Sequence, residues 1–361
     1  MDRKLENECS KIAEAPEYKN ILVMDTIPWG TCLKQRPHHI AEYLSDKFDV
    51  TLYKLGEISH FMRYNDKIIL CPKLKIKKMP KKNVVYYIDS INEYRDISHL
   101  RKIKKMGCKI IYDYIDEFSN KICDVKKPYK IFKNLEKINP DVVVAASDKL
   151  QNDLRGRFPE AKIVLAKNAT RPEDFQNCSR EIIPDDIRPI IEQEKPIIGY
   201  YGVISRWLDY DLLSKAAELH PEFNFVFIGK DSQRCSQRLK MHENVYVLGR
   251  KKYEDLPKYA QHFDCCIIPF QNGNIAKATS PVKLYEYMAL KKPVVCTRDL
   301  NECRGYEGVL MSENDDEFIS NLSIAVEMGK NDDVKEKLWQ QALENSWKQR
   351  ADAIYNKIRS L

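Results

Sequence analysis

Short runs of consecutive apolar residues, many of them β-branched, return at intervals along this chain. ILVMD (21–25), DVTLY (49–53), KIIL (67–70), VVYYI (84–88), KIIYDY (109–114), DVVVAAS (141–147) and KIVLAKN (162–168) form one series. KPIIGYY (195–201), FNFVFIGK (223–230), NVYVLGR (244–250), DCCIIPF (264–270) and PVV (293–295) form a second. Strands without polar alternation are buried on both faces, the situation of a parallel sheet covered by helices. The segments between them carry helical patterning, as in Arg36–Leu44 and Asp209–Leu219. Strand, helix and strand in alternation predict an α/β fold with two doubly wound, Rossmann-like domains. The polar, proline-bearing stretch CSREIIPDDIRPIIEQEK (178–195) reads as the linker. The expected division is an N-terminal domain over 1–180 with linker to about 195, a C-terminal domain over 196–345, and a closing helix over 346–361.

Composition narrows the setting. A length of 361 residues is ample for two domains of ordinary size. No segment approaches ~18 consecutive apolar residues, so no membrane-spanning helix is expected. The first twenty residues are mixed in charge and lack the apolar core of a signal peptide. Eleven cysteines without a C-x-x-C pair argue against a metal site or a disulfide framework and fit a reducing cytoplasm. Residues 1–180 hold 35 Lys and Arg against 25 Asp and Glu, whereas the remainder holds 25 against 28. The excess concentrates in 73–82, 101–109 and 126–137, which reads either as a solvated, lysine-rich face or as a surface for an anionic partner such as an acidic membrane face. No nucleic-acid-binding signature accompanies it.

The stretch Asn274–Thr297 carries the strongest chemical signal. Ser280 reads as a helix N-cap and Pro281 as the first helical residue, where its missing N–H costs nothing. The free N–H groups at Val282 and Lys283, together with the lysine side chain, make a phosphate site. Glu286 lies one turn further in and can reach a hydroxyl pair beyond the phosphates. Phosphate on amides with a carboxylate on a ribose describes a nucleotide-sugar site. The strand ends of the second series add Gly202, Gly229-Lys230, Gly249-Arg250 and Pro269-Phe270, where glycine lets backbone approach phosphate or base. Asp209-Tyr-Asp211 spells a metal-binding D-x-D, but it opens a helix, where aspartate acts as cap and against the dipole. Gly199-Tyr-Tyr-Gly202 is not G-x-G-x-x-G, so no nicotinamide cofactor is expected.

SPVKLYEYMALKKPVV resembles the donor-site segment of the retaining GT-B glycosyltransferases of family 4, in the branch that builds teichuronic-acid and capsule polymers. Trp29 followed by Arg36-Pro-His-His-Ile-Ala-Glu-Tyr-Leu is similar to the opening of that branch. YDYIDEF (112–118), KNATRPEDF (167–175) and ENSWKQRA (344–351) resemble its acidic, hinge and closing elements. Ala278 stands where the family carries the first of two glutamates, and Glu286 matches the second. The resemblance implies two domains facing across a cleft, acceptor on the N-terminal side, donor on the C-terminal side. The last helix would cross back to the N-terminal domain, with Trp347 as its anchor.

The implied activity is metal-independent, hexosyltransferase-type transfer from a UDP-, GDP- or dTDP-sugar, with retention, to a glycan or lipid-linked acceptor. Ser280, Pro281, Val282, Lys283, Arg206 and the Gly202 loop would hold the diphosphate. Gly229, Lys230, Gly249 and Arg250 would hold the base, and Glu286 the ribose. Trp29, Arg36 and His38 would lie on the acceptor side. Asp113, Asp116 and Glu117 would orient the acceptor hydroxyl, or else balance the nearby lysines. The competing readings are a GT-B sugar-nucleotide epimerase and a non-catalytic partner subunit. The expected location is the cytoplasm, at the inner face of the cell membrane if the basic patches bind it.

Overall fold

The computed structural model describes residues 20–29, 34–55, 60–72, 84–89, 98–117, 128–176 and 182–361. The chain divides into two compact units, Met1–Lys167 with Trp347–Leu361, and Asn168–Ser346.

The first unit is built on an eight-stranded sheet. Its strands are β1 (Ile21–Trp29), β2 (Val50–Leu55), β3 (Met62–Arg63), β4 (Ile68–Pro72), β5 (Val84–Asp89), β6 (Lys109–Tyr114), β7 (Val142–Ala145) and β8 (Lys162–Leu165). They run in the order β3-β4-β2-β1-β5-β6-β7-β8. All neighbours are parallel except the short β3, which pairs antiparallel to β4. The order reverses at β1, which has β2 on one side and β5 on the other. Helices α1 (Arg36–Ser45), α2 (Ser98–Lys105), α3 (Pro128–Ile138) and α4 (Asp148–Arg157) connect the strands. The uninterrupted apolar runs are buried as their composition requires: every residue of β2, β4 and β7 is buried.

The second unit has six parallel strands, β9 (Ile197–Tyr201), β10 (Asn224–Ile228), β11 (Val245–Val247), β12 (Cys265–Ile268), β13 (Val294–Thr297) and β14 (Val309–Ser312). Their order is β11-β10-β9-β12-β13-β14, reversing at β9. The longer helices are α5 (Tyr210–Leu219), α6 (Val282–Ala289), α7 (Asp315–Met328) and α8 (Asp332–Glu344). Asp209 caps α5 by accepting the Leu212 N–H at 3.1 Å, and Asp211 pairs with Arg238, so the D-x-D residues serve the helix start and its surface.

The division between units falls earlier than the polar composition of 178–195 suggests. Phe175, Ile187 and Ile190 are buried in the core of the second unit, so residues 182–195 pack there and are not a free connector. Apolar residues spaced through a polar stretch decide where it goes, and their burial outweighs its proline content.

The closing helix α9 (Trp347–Arg359) belongs to the first unit and packs along α1. Trp347 is fully buried, with its ring stacked on His39 at 5.1 Å and 7°. The Arg36 guanidinium lies 5.9 Å from the same ring.

Arg36 and Asp113 stand differently from their expected roles at an acceptor. They are bound to each other in the interior: Arg36 Nε and Nη2 donate to the two Asp113 oxygens at 2.8 and 3.1 Å. Tyr87 donates to the same carboxylate at 2.7 Å, and Arg36 Nη1 reaches the Lys167 carbonyl at 3.2 Å. Both Asp113 oxygens accept and neither group is exposed, so the structure shows the pair in a structural role.

Cutting a buried ion pair leaves its partner uncompensated. Asp113→Ala should therefore destabilise the first unit by about 3–5 kcal/mol, read as a lower urea midpoint. Asp113→Asn, which keeps a hydrogen-bonding amide of the same shape, should cost less; equal midpoints for both variants and the wild type would contradict this account.

Candidate functional site

The carboxyl edge of the second sheet gathers the glycine-ended strand tips. The Gly202 N–H donates to the Ile228 carbonyl at 2.9 Å, and the Gly229 N–H donates to the Gly249 carbonyl at 2.8 Å. Gly202 and Gly229 have φ of 140° and 155°. A Cβ at Gly229 would lie 1.7 Å from the Gly202 carbonyl oxygen, so the two backbones meet where only glycine fits. The fourth tip joins them through Asp209, whose N–H donates to the Pro269 carbonyl at 2.8 Å. Arg206, Lys230 and Arg250 follow these tips and are exposed.

Helix α6 begins one residue later than its sequence suggests. Pro281 is the N-cap residue, in extended conformation, and the helix starts at Val282. Ser280 is not the cap, because its hydroxyl is engaged elsewhere. It accepts the Asn168 N–H at 3.2 Å and lies 3.4 Å from the Tyr285 hydroxyl. The Asn168 amide also donates to the Ser280 carbonyl at 2.6 Å. The entry to α6 is thus held from outside the helix. The first N–H to be taken up internally is that of Leu284, by the Pro281 carbonyl, leaving those of Val282 and Lys283 as orphan donors of the first turn.

Lys283 projects from that turn against the glycine edge. A Cβ at Gly202 would lie 3.0 Å from Lys283 Cε and 3.4 Å from its Nζ. The ammonium sits over the rings of Phe270 and Tyr200, at 5.1 and 5.4 Å. Desolvation lowers its pKa to about 8, opposed by the charge of Glu286. Glu286, one turn on, is buried, and desolvation pushes its carboxyl up to about 7. The Tyr201 hydroxyl and the Lys283 ammonium pull it back, while Asp174 adds to the rise. Among the described residues neither Lys283 nor Glu286 forms an ion pair. Aromatic faces hold the lysine, and its charge is left for something else.

Three further residues surround this pair without having been picked out from the sequence. Tyr201 ends β9, Tyr253 donates to Asp174 at 3.2 Å, and both tyrosines have phenols raised by burial next to Glu286. In sequence they look like core aromatics, and no local pattern separates them from the tyrosines that are.

In the first unit, Trp29 ends β1 half-buried, edge-on to Tyr53 at 4.9 Å and to His38 at 5.3 Å. His38 is occupied by its own helix: Nδ1 accepts the Gln35 N–H at 3.0 Å, and Nε2 donates to the Pro28 carbonyl at 3.3 Å. Burial depresses its pKa, and both ring nitrogens are engaged at the start of α1. Glu117 pairs with Lys149 at 3.1 Å, as a balancing role would have it. Asp116 is raised by desolvation and by Asp113, against the pull of Arg36.

Residues 184–357, nearly all of the second unit and most of α9, match the family described as glycosyl transferases group 1. TuaH of Bacillus subtilis (strain 168), which carries the name of a teichuronic acid biosynthesis glycosyltransferase, is 28% identical over 163 residues. That alignment covers 44% of this chain and 40% of TuaH, so the likeness spans about two fifths of the relative's length. The sucrose-phosphate synthase of Thermosynechococcus elongatus superposes with a TM-score of 0.68 at 13% identity, covering 95% of this chain and 98% of that one. Anabaena HepE, solved with UDP and glucose, superposes with a TM-score of 0.69 at 14% identity, covering 95% and 100%. A glycosyltransferase of Rickettsia africae gives a TM-score of 0.67 at 16% identity, covering 94% and 97%. The fold is GT-B.

The glycine edge makes a graded prediction. Gly229→Ala must force the two touching backbones apart and should cost about 2–4 kcal/mol, from overpacking and a left-handed φ together. Gly249→Ala meets nothing within 4 Å and carries only its φ of 69°, so about 1–2 kcal/mol is expected. Urea unfolding of the two variants checks the ranking, and a Gly249 variant as damaged as the Gly229 one would break it.

Proposed function

We propose that this protein is a glycosyltransferase that moves a sugar from a nucleoside-diphosphate donor to an acceptor hydroxyl. The observation that carries the reading is the uncommitted Lys283 ammonium beside the Gly202 edge, with buried Glu286 one turn behind it. The family match over the second unit supports it.

Breaking a glycosidic bond to a nucleotide releases a diphosphate whose negative charge must be met as it forms. Lys283 and the N–H groups of Val282 and Lys283 supply fixed positive charge, with Arg206 at the loop after β9. The diphosphate lies on the Gly202 loop, the base against Gly229-Lys230 and Gly249-Arg250, and the ribose hydroxyls donate to Glu286. The sugar leaves with retention, its acceptor attacking on the face the phosphate departs from, and the leaving phosphate takes the acceptor's proton. UDP and UDP-glucose in the HepE structures make uridine the base to test first. The TuaH likeness supports a surface glycan or its lipid-linked precursor as acceptor.

The first unit gives that acceptor a place to be met. Arg101, Lys102 and Lys105 are exposed on α2, and Met106 beyond them is 42% exposed. The 73–82 cluster lies outside the described residues. No helix among the described residues is long and apolar enough to cross a membrane. The basic face binds anionic lipid from the side, each cation adding ~1 kcal/mol.

Two measurements test these assignments. UDP affinity, followed by thermal shift or calorimetry, should fall about tenfold or more in Lys283→Ala and in Glu286→Ala. It should peak between pH about 7 and about 8, because Glu286 must be ionised and Lys283 protonated. Glu286→Gln should lose the acid limb while keeping the alkaline one; a flat wild-type profile would remove both residues from the site. Flotation with phosphatidylserine vesicles should occur at low salt and vanish at high salt, and binding indifferent to salt would end the membrane proposal.

A further inference from the structure

The first sheet reverses order at β1, and the ligands of doubly wound sheets lie at the carboxyl ends of the strands flanking such a reversal. In this unit those strands are β1 and β5. β5 ends in Asp89, and Asp25 lies in β1 beside Ile88. The next strands out bring Lys54 from β2 and Asp113 from β6, with Asp113 in register beside Asp89.

These charges can be accounted for group by group. Both Asp113 oxygens are taken by Arg36 and Tyr87. Asp25 accepts from the Lys54 ammonium at 2.8 Å. Among the described residues Asp89 accepts only the Ile27 N–H, at Oδ2 and 3.1 Å, and its buried Oδ1 has no hydrogen-bond partner. Of the carboxylates at these four strand ends, Asp113 is bonded to Arg36 and Asp25 to Lys54, while Asp89 is bonded to neither cation; Asp116 lies beyond them, near Arg36 and Asp113. Burial raises its pKa to about 7; Asp113 and Asp25 push the same way, and Lys54 and the Ile27 N–H oppose them.

Among the described residues no hydrogen bond of the fold uses this oxygen. An asparagine would fill the same space without the desolvated charge. Where a folded chain keeps an unsatisfied polar group, a role in function is the first hypothesis. The neighbouring hydroxyls do not soften it. Thr26 donates to the Tyr53 hydroxyl at 2.8 Å, which in turn donates to the Ile27 carbonyl at 3.0 Å. These two hydroxyls thus bond to each other and to backbone, and the ionised Asp89 Oδ1 stands as an acceptor, which suits a hydroxyl and repels a phosphate.

We propose that Asp89 is an acceptor-binding residue, whose free Oδ1 receives the hydrogen bond of a saccharide hydroxyl in the transfer reaction. The inference rests on the glycosyltransferase reading and adds to it a residue for the acceptor. Half-buried Trp29, packed on Tyr53 next to this network, offers the sugar ring an apolar face.

The test compares wild type, Asp89→Asn and Asp89→Ala, with UDP-glucose as donor and the p-nitrophenyl glycosides of glucose, galactose and N-acetylglucosamine as acceptors. Expected are a UDP-induced thermal shift like that of the wild type in both variants, an unliganded melting temperature no lower in Asp89→Asn, and acceptor-dependent transfer reduced roughly a hundredfold. Formate should partly restore transfer in Asp89→Ala by occupying the vacated site. Transfer at wild-type rates in either variant overturns the proposal. So does loss of the UDP shift together with transfer in both, because that assigns Asp89 to the fold. A wild-type protein that binds UDP yet transfers to no acceptor fails the glycosyltransferase reading itself, and this inference falls with it.

Discussion

The Arg36–Asp113 pair ties together parts of the first unit that are far apart in sequence. One guanidinium joins β6 through Asp113, the end of the unit through the Lys167 carbonyl, and α9 through the Trp347 ring. Tyr87 brings in β5. A buried ion pair is not by itself strong evidence for stability, since desolvation can cancel its attraction. Here the geometry is bidentate and every carboxylate oxygen is bonded, which is the condition under which such a pair holds. Its consequence is positional. The chain leaves this unit at Lys167 and returns at Trp347, and the same arginine touches both places.

Charges that are paired and charges that are left over separate structure from chemistry in both units. In the first, Arg36, Asp113 and Asp25 are spoken for, and Asp89 is not. In the second, Asp174 is bonded to Tyr253 and Asp299 to the Gly273 N–H, whereas Lys283 lies in no ion pair among the described residues. Desolvating a lone cation or a lone carboxylate costs free energy that no internal partner returns. On the proposed reading each, at the carboxyl edge of its own parallel sheet, is kept for an external partner. Opposite signs at the two edges suit an anionic leaving group on one and hydroxyl donors on the other.

Much of this was legible in the sequence, and the exceptions share a physical cause. The apolar runs specified the strands because burial on both faces leaves no other composition. Gly202, Gly229 and Lys283 could be placed because strand tips and a helix start are local events. Ser280 was misread because its hydroxyl is bonded to Asn168, more than a hundred residues away, and a cap motif cannot report a long-range competitor. Arg36 and Asp113 lie in motifs that look functional; their mutual bond spans 77 positions. Asp89 escaped notice for the reverse reason. It ends an ordinary strand, and its distinction is a missing bond, which only a complete set of neighbours reveals. Local sequence announces where charge sits, and tertiary contacts decide whether it is spent.

The donor-side pair carries the argument one step further. Lys283 and Glu286 lie on one face of α6, three residues apart, in surroundings that push the lysine down to about 8 and the glutamate up to about 7. Each partly supports the charge of the other, so the free site stands close to the point where transfer of one proton from Lys283 to Glu286 would neutralise both. On the proposed donor-site reading, an arriving diphosphate brings the counter-charge that Lys283 lacks and raises its pKa. Ribose hydroxyls donating to Glu286 favour its carboxylate and lower its pKa. Both shifts move the pair toward the doubly charged state, so the nucleotide stabilises the form of the site that binds it. The desolvation that makes the empty site costly is then the source of its discrimination, because a ligand lacking either the phosphates or the ribose would leave one of the two charges buried and unpaired.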